Sequence, residues 1–140
     1  MIFLDTSIFI AAAQALHINH EPSAKLLKRA TRTAAAASLH SMAETYNVLS
    51  GMPQPFRMPP IAVAKIIEQM RERVRLVGLT EAEYAATIES VAGLGLSGGI
   101  VYDALHMRCA RKAGATRIYS WNARHFKLVD PEMAGVVYFP

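Results

Sequence analysis

The chain opens with a short apolar run, Ile2 to Leu4, that stops at Asp5. Asp5-Thr6-Ser7 then offers side-chain oxygens to cap an apolar helix over Ile8 to Leu16, so a strand feeds straight into a helix. A second helix follows Pro22, with Ala24, Leu27 and Ala30 set against Lys25, Lys28, Arg29 and Arg32. The small-residue run Thr33 to Ser38 suits a buried strand, although its alanines equally favour helix. Helical spacing returns from Leu39 to Ser50, and the proline- and glycine-broken stretch 51–60 reads as a loop. Pro59-Pro60 starts a helix to Arg73 with Val63, Ile66, Ile67 and Met70 inward, and Arg75 to Gly78 is a short strand. Thr80-Glu81-Ala82-Glu83 has the form of a capping box for a helix to Ala92. A glycine-rich loop, Gly93 to Gly99, precedes a helix from Ile100 to Ala113 stopped by Gly114. The pattern closes with a strand Ile118 to Trp121, a turn Ala123 to Phe126, and a strand Val136 to Phe139.

Short apolar strands alternating with helices predict an α/β sandwich around a mainly parallel sheet. Sites in such folds form beyond the carboxyl ends of strands. Asp5 lies at such an end, and Glu44 and Asn122 fall close after two others.

Composition narrows the class. One domain, spanning 1–140, is expected from 140 residues, 52% hydrophobic and 19% charged. The apolar stretches are far below the roughly 20 residues that span a bilayer. No basic n-region or cleavage site follows Met1, and the single Cys109 excludes an internal disulfide framework, so a cytoplasmic protein is expected. Fifteen Lys+Arg against 11 Asp+Glu give +4 and a pI near 9.5. Grouped basic residues fit either solvated helix faces or a polyanionic partner.

Three isolated acids carry the candidate chemistry: Asp5 in MIFLDTSIF, Glu44 in SMAETYNVLS and Asp103 in GGIVYDALHMR. Together they would bind Mg²⁺ or Mn²⁺, because hard cations take carboxylate oxygens, and such a site hydrolyses phosphodiesters. Each also has a plainer explanation. Asp5 serves as an N-cap. Glu44 shares a stripe with His40 and Asn47, opposite an apolar arc of Leu39, Met42, Tyr46 and Leu49, and that stripe faces either a cleft or open water. Asp103 sits at the border of the arc Tyr102, Leu105, Cys109 and Ala110, where a half-buried carboxylate needs a partner. That partner is a metal or a hydroxyl.

Four segments in order, D-T-S-I-F-I at the amino terminus, S-x-x-E-T-Y-N-V-L at 41–49, S-G-G-x-x-Y-D-A-L-H at 97–106 and S-W-N-x-R-H-F at 120–126, resemble a PIN domain of the VapC toxin type. The resemblance covers essentially the whole chain. It implies a three-layer α/β/α sandwich with a roughly five-stranded sheet and a metal-dependent endoribonuclease site. By motif, Asp5, Glu44 and Asp103 become the metal-binding acids, with Thr6 or Ser120 supplying a hydroxyl. It further implies one or two Mg²⁺ or Mn²⁺ ions, a structured RNA substrate such as tRNA or rRNA, a homodimer, and inhibition by a small cognate antitoxin protein. The last motif often carries a fourth acid in this family, whereas here Asn122 and His125 stand in the candidate positions.

The expected chemistry is in-line attack of activated water on an RNA phosphodiester. Asp5 and Asp103 are expected as direct ligands and Glu44 as ligand or general base. Asn47, Asn122 and His125 are expected to support the ligands or touch substrate, and His106, three residues after Asp103, to orient it. Arg111 or Lys112 would reach phosphates, and the Ser97-Gly98-Gly99 loop would present amides at a helix start. Two rivals remain: a PIN-like module that binds RNA or protein without cutting, suggested by the missing acid, and an aspartyl phosphotransferase using Asp5. The second normally needs an acid two residues on, where this chain has Ser7.

Overall fold

A computed structural model describes all 140 residues. Its strands are β1 (Ile2–Leu4), β2 (Ala35–Ser38), β3 (Arg75–Val77), β4 (Arg117–Tyr119) and β5 (Val137–Tyr138). They form one sheet in the order β3-β2-β1-β4-β5, with every pair parallel. The helices are α1 (Thr6–Ala13), α2 (His20–Arg29), α3 (His40–Gly51), α4 (Pro60–Arg73), α5 (Glu81–Gly93), α6 (Ile100–Lys112) and α7 (Ala123–Val129), followed by a 3₁₀ turn at Pro131–Val136. The expected parallel α/β/α sandwich is borne out.

Strand alternation builds the two cores. Phe3, Ala36 and Ile118 point to one face and pack with Met107, Cys109 and Ala110 of α6 and Phe126 of α7. Leu4, Ala35 and Ala37 point to the other, against Phe9 of α1, Ala30 after α2, and Met70 of α4. The alanine run is a strand because both its flanks are laddered, Ala35 to Ile2 and Ala36 to Arg75, and all four residues are buried. Sheet pairing overrides the helix preference of alanine, and the small side chains admit helices close on both faces.

Several boundaries differ from the pattern. Helix α1 stops at Ala13, where Gln14 turns extended and its amide donates to the Phe56 carbonyl at 2.7 Å, leaving Leu16 and Ile18 almost wholly exposed. Helix α2 begins before Pro22, which sits in the first turn where its missing N–H breaks no bond. Strand β4 ends at Tyr119, so Ser120 and Trp121 lie beyond it. The segment after Asn122 is a two-turn helix, because Phe126 buries fully into the core beside Ala123. The Thr80–Glu83 capping box forms as expected, and Gly114 takes a φ of +68° to end α6.

Helix α3 corrects the pattern most. Its buried face is Ser41, Thr45 and Leu49, while Leu39 and Tyr46 of the expected apolar arc are exposed. Small hydroxyl residues at that face let α3 approach α1 closely, and Ser41 joins a polar network there. Two expected phosphate contacts are also committed elsewhere. Arg111 pairs with Asp130 and Glu132, at 2.7 Å to the latter, and Lys112 pairs with Glu83 at 2.7 Å. After the Ser97-Gly98-Gly99 loop, the Val101 and Tyr102 amides donate to the carbonyls of Gly98 and Gly99 and close the entry to α6.

Candidate active site

Asp5 leaves the carboxyl end of β1, Glu44 sits in the second turn of α3 after β2, and Asp103 sits in the first turn of α6. The fold brings them to one end of the sheet. Thr6, beside Asp5, donates to Glu44 Oε2 at 2.7 Å, and Asp5, Glu44 and Asp103 all act electrostatically on the same buried His106. No Lys or Arg bonds any of the three.

Each carboxylate rests on neutral donors. Asp5 Oδ2 accepts from Ser7 Oγ at 2.6 Å and Ser120 Oγ at 2.8 Å, which matters more than its long N-cap contact of 3.4 Å to the Ser7 amide. Asp5 Oδ1 has no such partner, and it is not among the sealed polar atoms, so it reaches solvent. Glu44 Oε2 accepts from Thr6 and from His106 Nε2, at 2.8 Å, leaving Oε1 open. Asp103 Oδ1 accepts from Asn122 Nδ2 at 3.2 Å, and Oδ2 lies 3.1 Å from His125 Nδ1. Nδ1 also stands 2.8 Å from Asn122 Nδ2, and one atom cannot donate to Asp103 while accepting from Asn122. We assign the proton to Nδ1, because an unprotonated nitrogen there would face the carboxylate lone pairs.

The chemistry of this donor set fits a hard divalent cation: three carboxylates, no Lys or Arg on any of them, and open oxygens on Asp5 and Glu44. No three acidic, His or Cys side chains stand at the spacing of a closed cage, so the carboxylates must draw together to share one cation.

His106 does not orient Asp103. Its Nε2 bonds Glu44 and its Nδ1 pairs with Ser38 Oγ at 2.7 Å, because α6 turns position 106 toward β2 and α3. Asp103 is positioned by Asn122 and His125 instead. Asn47 is exposed and bonds no member of the cluster, so the α3 stripe meets the site only through His40 and Glu44. Ser7, Ser38 and Ser41 join the site without a motif of their own to mark them. Ser7 was legible as part of D-T-S, but Ser38 and Ser41 are plain small residues until β2 and α3 are packed.

Electrostatics follow the contacts. Burial opposes the charge on Glu44, but the bonds from His106 and Thr6 outweigh it and lower its pKa. Burial likewise opposes protonation of His106, yet Glu44, with Asp5 and Asp103 nearby, raises its pKa above 6.5. Burial raises the Asp103 pKa, helped by the Asp5 charge and opposed by His125. A raised histidine pKa stabilises the fold fully below 6.5, and that stability is lost as pH rises through the folded value. In EDTA, the thermal midpoint should therefore fall as pH climbs from 6.5, and His106→Gln should flatten that slope; a parallel slope in the variant would assign the dependence to another group.

A cavity of about 500 Å³ between α1, α2 and α4 includes none of these residues, and its position gives it no part in this chemistry.

The fold and the acid cluster define a PIN domain, whose family profile matches residues 2–130, and the chain belongs to that family. Ribonuclease VapC40 of Mycobacterium tuberculosis is 32% identical over 115 residues, 82% of each chain, which places this protein among the VapC ribonucleases. The fold matches the crystal structure of M. tuberculosis VapC20, described as a sarcin-ricin loop cleaving toxin, with a TM-score of 0.74, 23% identity and full coverage of both chains. It also matches VapBC2 from Rickettsia felis bound to a promoter DNA fragment, with a TM-score of 0.60, 18% identity, and coverage of 91% and 93%. No helix is long and apolar enough to cross a membrane.

Proposed function

We propose that this VapC ribonuclease is the toxin of a toxin–antitoxin pair and hydrolyses structured RNA, tRNA or rRNA, with Mg²⁺ or Mn²⁺ held by Asp5, Glu44 and Asp103. The observation that carries the reading is the convergence of three carboxylates from β1, α3 and α6 at one sheet end, none of them paired with Lys or Arg. When bound, the cation would supply Lewis acidity toward the attacking water and the phosphate. Asp5, held by Ser7 and Ser120 through Oδ2, has Oδ1 left to ligate. Glu44, fixed by Thr6 and His106 through one oxygen, keeps the other to accept a proton from water or to ligate. Asn122 and His125 aim Asp103 and, on releasing it, can reach substrate oxygens.

The partner reading rests on relatives: the matched R. felis structure is of a VapBC assembly. A small antitoxin, a homodimer and a cytoplasmic setting belong to the same proposal. Purified protein should cut total tRNA or rRNA on adding Mn²⁺ and stop in EDTA. Metal-independent cutting, or RNA binding with no cutting in any divalent ion, would replace the nuclease with the binding-module reading.

A further inference from the structure

Beside the acids lies a feature the mechanism does not use. The His40 and Tyr102 rings stack at 5.0 Å with an interplanar angle of 9°, and His40 lies 5.7 Å from the His106 ring. Three rings thus run outward from Glu44: His106 is buried on that carboxylate, His40 is half-buried, and Tyr102 is 48% exposed. Scattered surface aromatics are ordinary. Tyr102 differs in two respects. It directly precedes Asp103, and His40 stands one helical turn before Glu44, so the row starts at the acids and ends in solvent. Its ring is also already ordered by the stack on one side, while its hydroxyl makes no hydrogen bond and no other ring or cation covers it.

We propose that Tyr102, backed by His40, is a stacking platform for one unpaired nucleobase flanking the cleaved phosphodiester. Sequence-specific recognition of RNA falls chiefly on loops, bulges and ends, whose splayed bases stack on aromatic faces. A ring held in place before binding loses less freedom on stacking than a loose one. Such a contact is tolerant of base identity, because every base has a π-face, and it would select single-stranded loops over duplex RNA. The proposal rests on RNA being the substrate, and binding is therefore measured separately from cutting.

The test uses the intact protein in EDTA and a hairpin RNA whose seven-nucleotide loop is randomised except for 2-aminopurine placed in turn at each position. The parent should bind and quench the probe at one or two positions. Tyr102→Ala should weaken binding on the order of ten- to hundredfold and remove the quenching, the scale of one base–aromatic stack. Tyr102→Phe should retain both, because the ring and not the hydroxyl is used. An unchanged thermal midpoint in each variant keeps the comparison on binding. The proposal is overturned if Tyr102→Ala binds and quenches as the parent does, if Tyr102→Phe fails as badly as Tyr102→Ala, or if the parent does not bind the pool. It is overturned as well if Tyr102→Ala leaves RNA binding intact but releases a co-expressed antitoxin, which would make the ring a protein contact. A parent that binds and quenches without cutting after Mn²⁺ is added sustains the platform and removes the nuclease; cutting with no dependence on Tyr102 does the reverse.

Discussion

Asp103→Asn should abolish Mn²⁺-dependent RNA cleavage, by at least about 10²-fold in kcat/KM, while leaving the protein folded. The variant removes one of three charges that hold the cation. It also removes a charge that the fold resists, since burial and the Asp5 carboxylate raise the Asp103 pKa. The new amide keeps the shape of the side chain, can still accept from Asn122, and can donate to His125 in its other tautomer. The thermal midpoint in EDTA should therefore stay within about 2 °C of the parent or rise. Equal cleavage by variant and parent would make Asp103 structural. A collapsed midpoint would mean that the activity loss reports misfolding. The same raised pKa predicts that metal binding in the parent weakens on acidification at a higher pH than an ordinary aspartate would cause, because proton and cation compete for one carboxylate.

Asn122→Asp should tighten Mn²⁺ binding roughly tenfold and destabilise the metal-free protein. Asn122 Nδ2 donates to Asp103 Oδ1 at 3.2 Å, so the substitution exchanges a donor for a second carboxylate within contact distance of the first. At an effective dielectric of about 20, two unit charges at about 4 Å interact by about 4 kcal/mol, which is enough to force one carboxyl to hold a proton. A midpoint lower by roughly 2–6 °C in EDTA is expected. Bound cation reverses the sign, since the added charge now faces a dication, and most but not all of the gain is cancelled by repulsion among the acids. Calorimetric titration with Mn²⁺ decides it. Unchanged or weaker affinity would place Asn122 outside the metal shell and leave the fourth position to His125 or to none.

How far the sequence carried the site is best seen residue by residue. Asp5 was legible twice, as a cap and as an acid at a strand end, and it is both. Asn122 was marked as the place of a missing acid, and it does lie on Asp103. His106 bonds Ser38 and Glu44, not Asp103, the neighbour its spacing indicates. Spacing along one helix makes residues three apart adjacent, so it suggested Asp103, but position 106 is deeply buried and meets Ser38 and Glu44 from other elements. Arg111 and Lys112 read as free cations only because Asp130 and Glu83, their partners, are far away in sequence.

By itself the sequence determined the alternation of strands and helices, the Thr80–Glu83 cap, the stop at Gly114 and the three acids, because each is written in a local pattern of capping oxygens, glycine or apolar period. Whether Thr33 to Ser38 is strand or helix was decided only by tertiary structure, since alanine prefers helix and only the flanking strands β1 and β3 can repay its backbone with a ladder. The inward face of α3 was decided there too. Ser41 and Thr45 look like solvent residues until α1 packs against α3, where Ser41 joins Ser38, Thr6 and His106 in a hydroxyl network and Thr45 is buried with its hydroxyl unpaired. Hydrogen bonds between residues 35 to 115 positions apart have no trace in a single sequence, because nothing local records which donor will meet which carboxylate once the chain has closed.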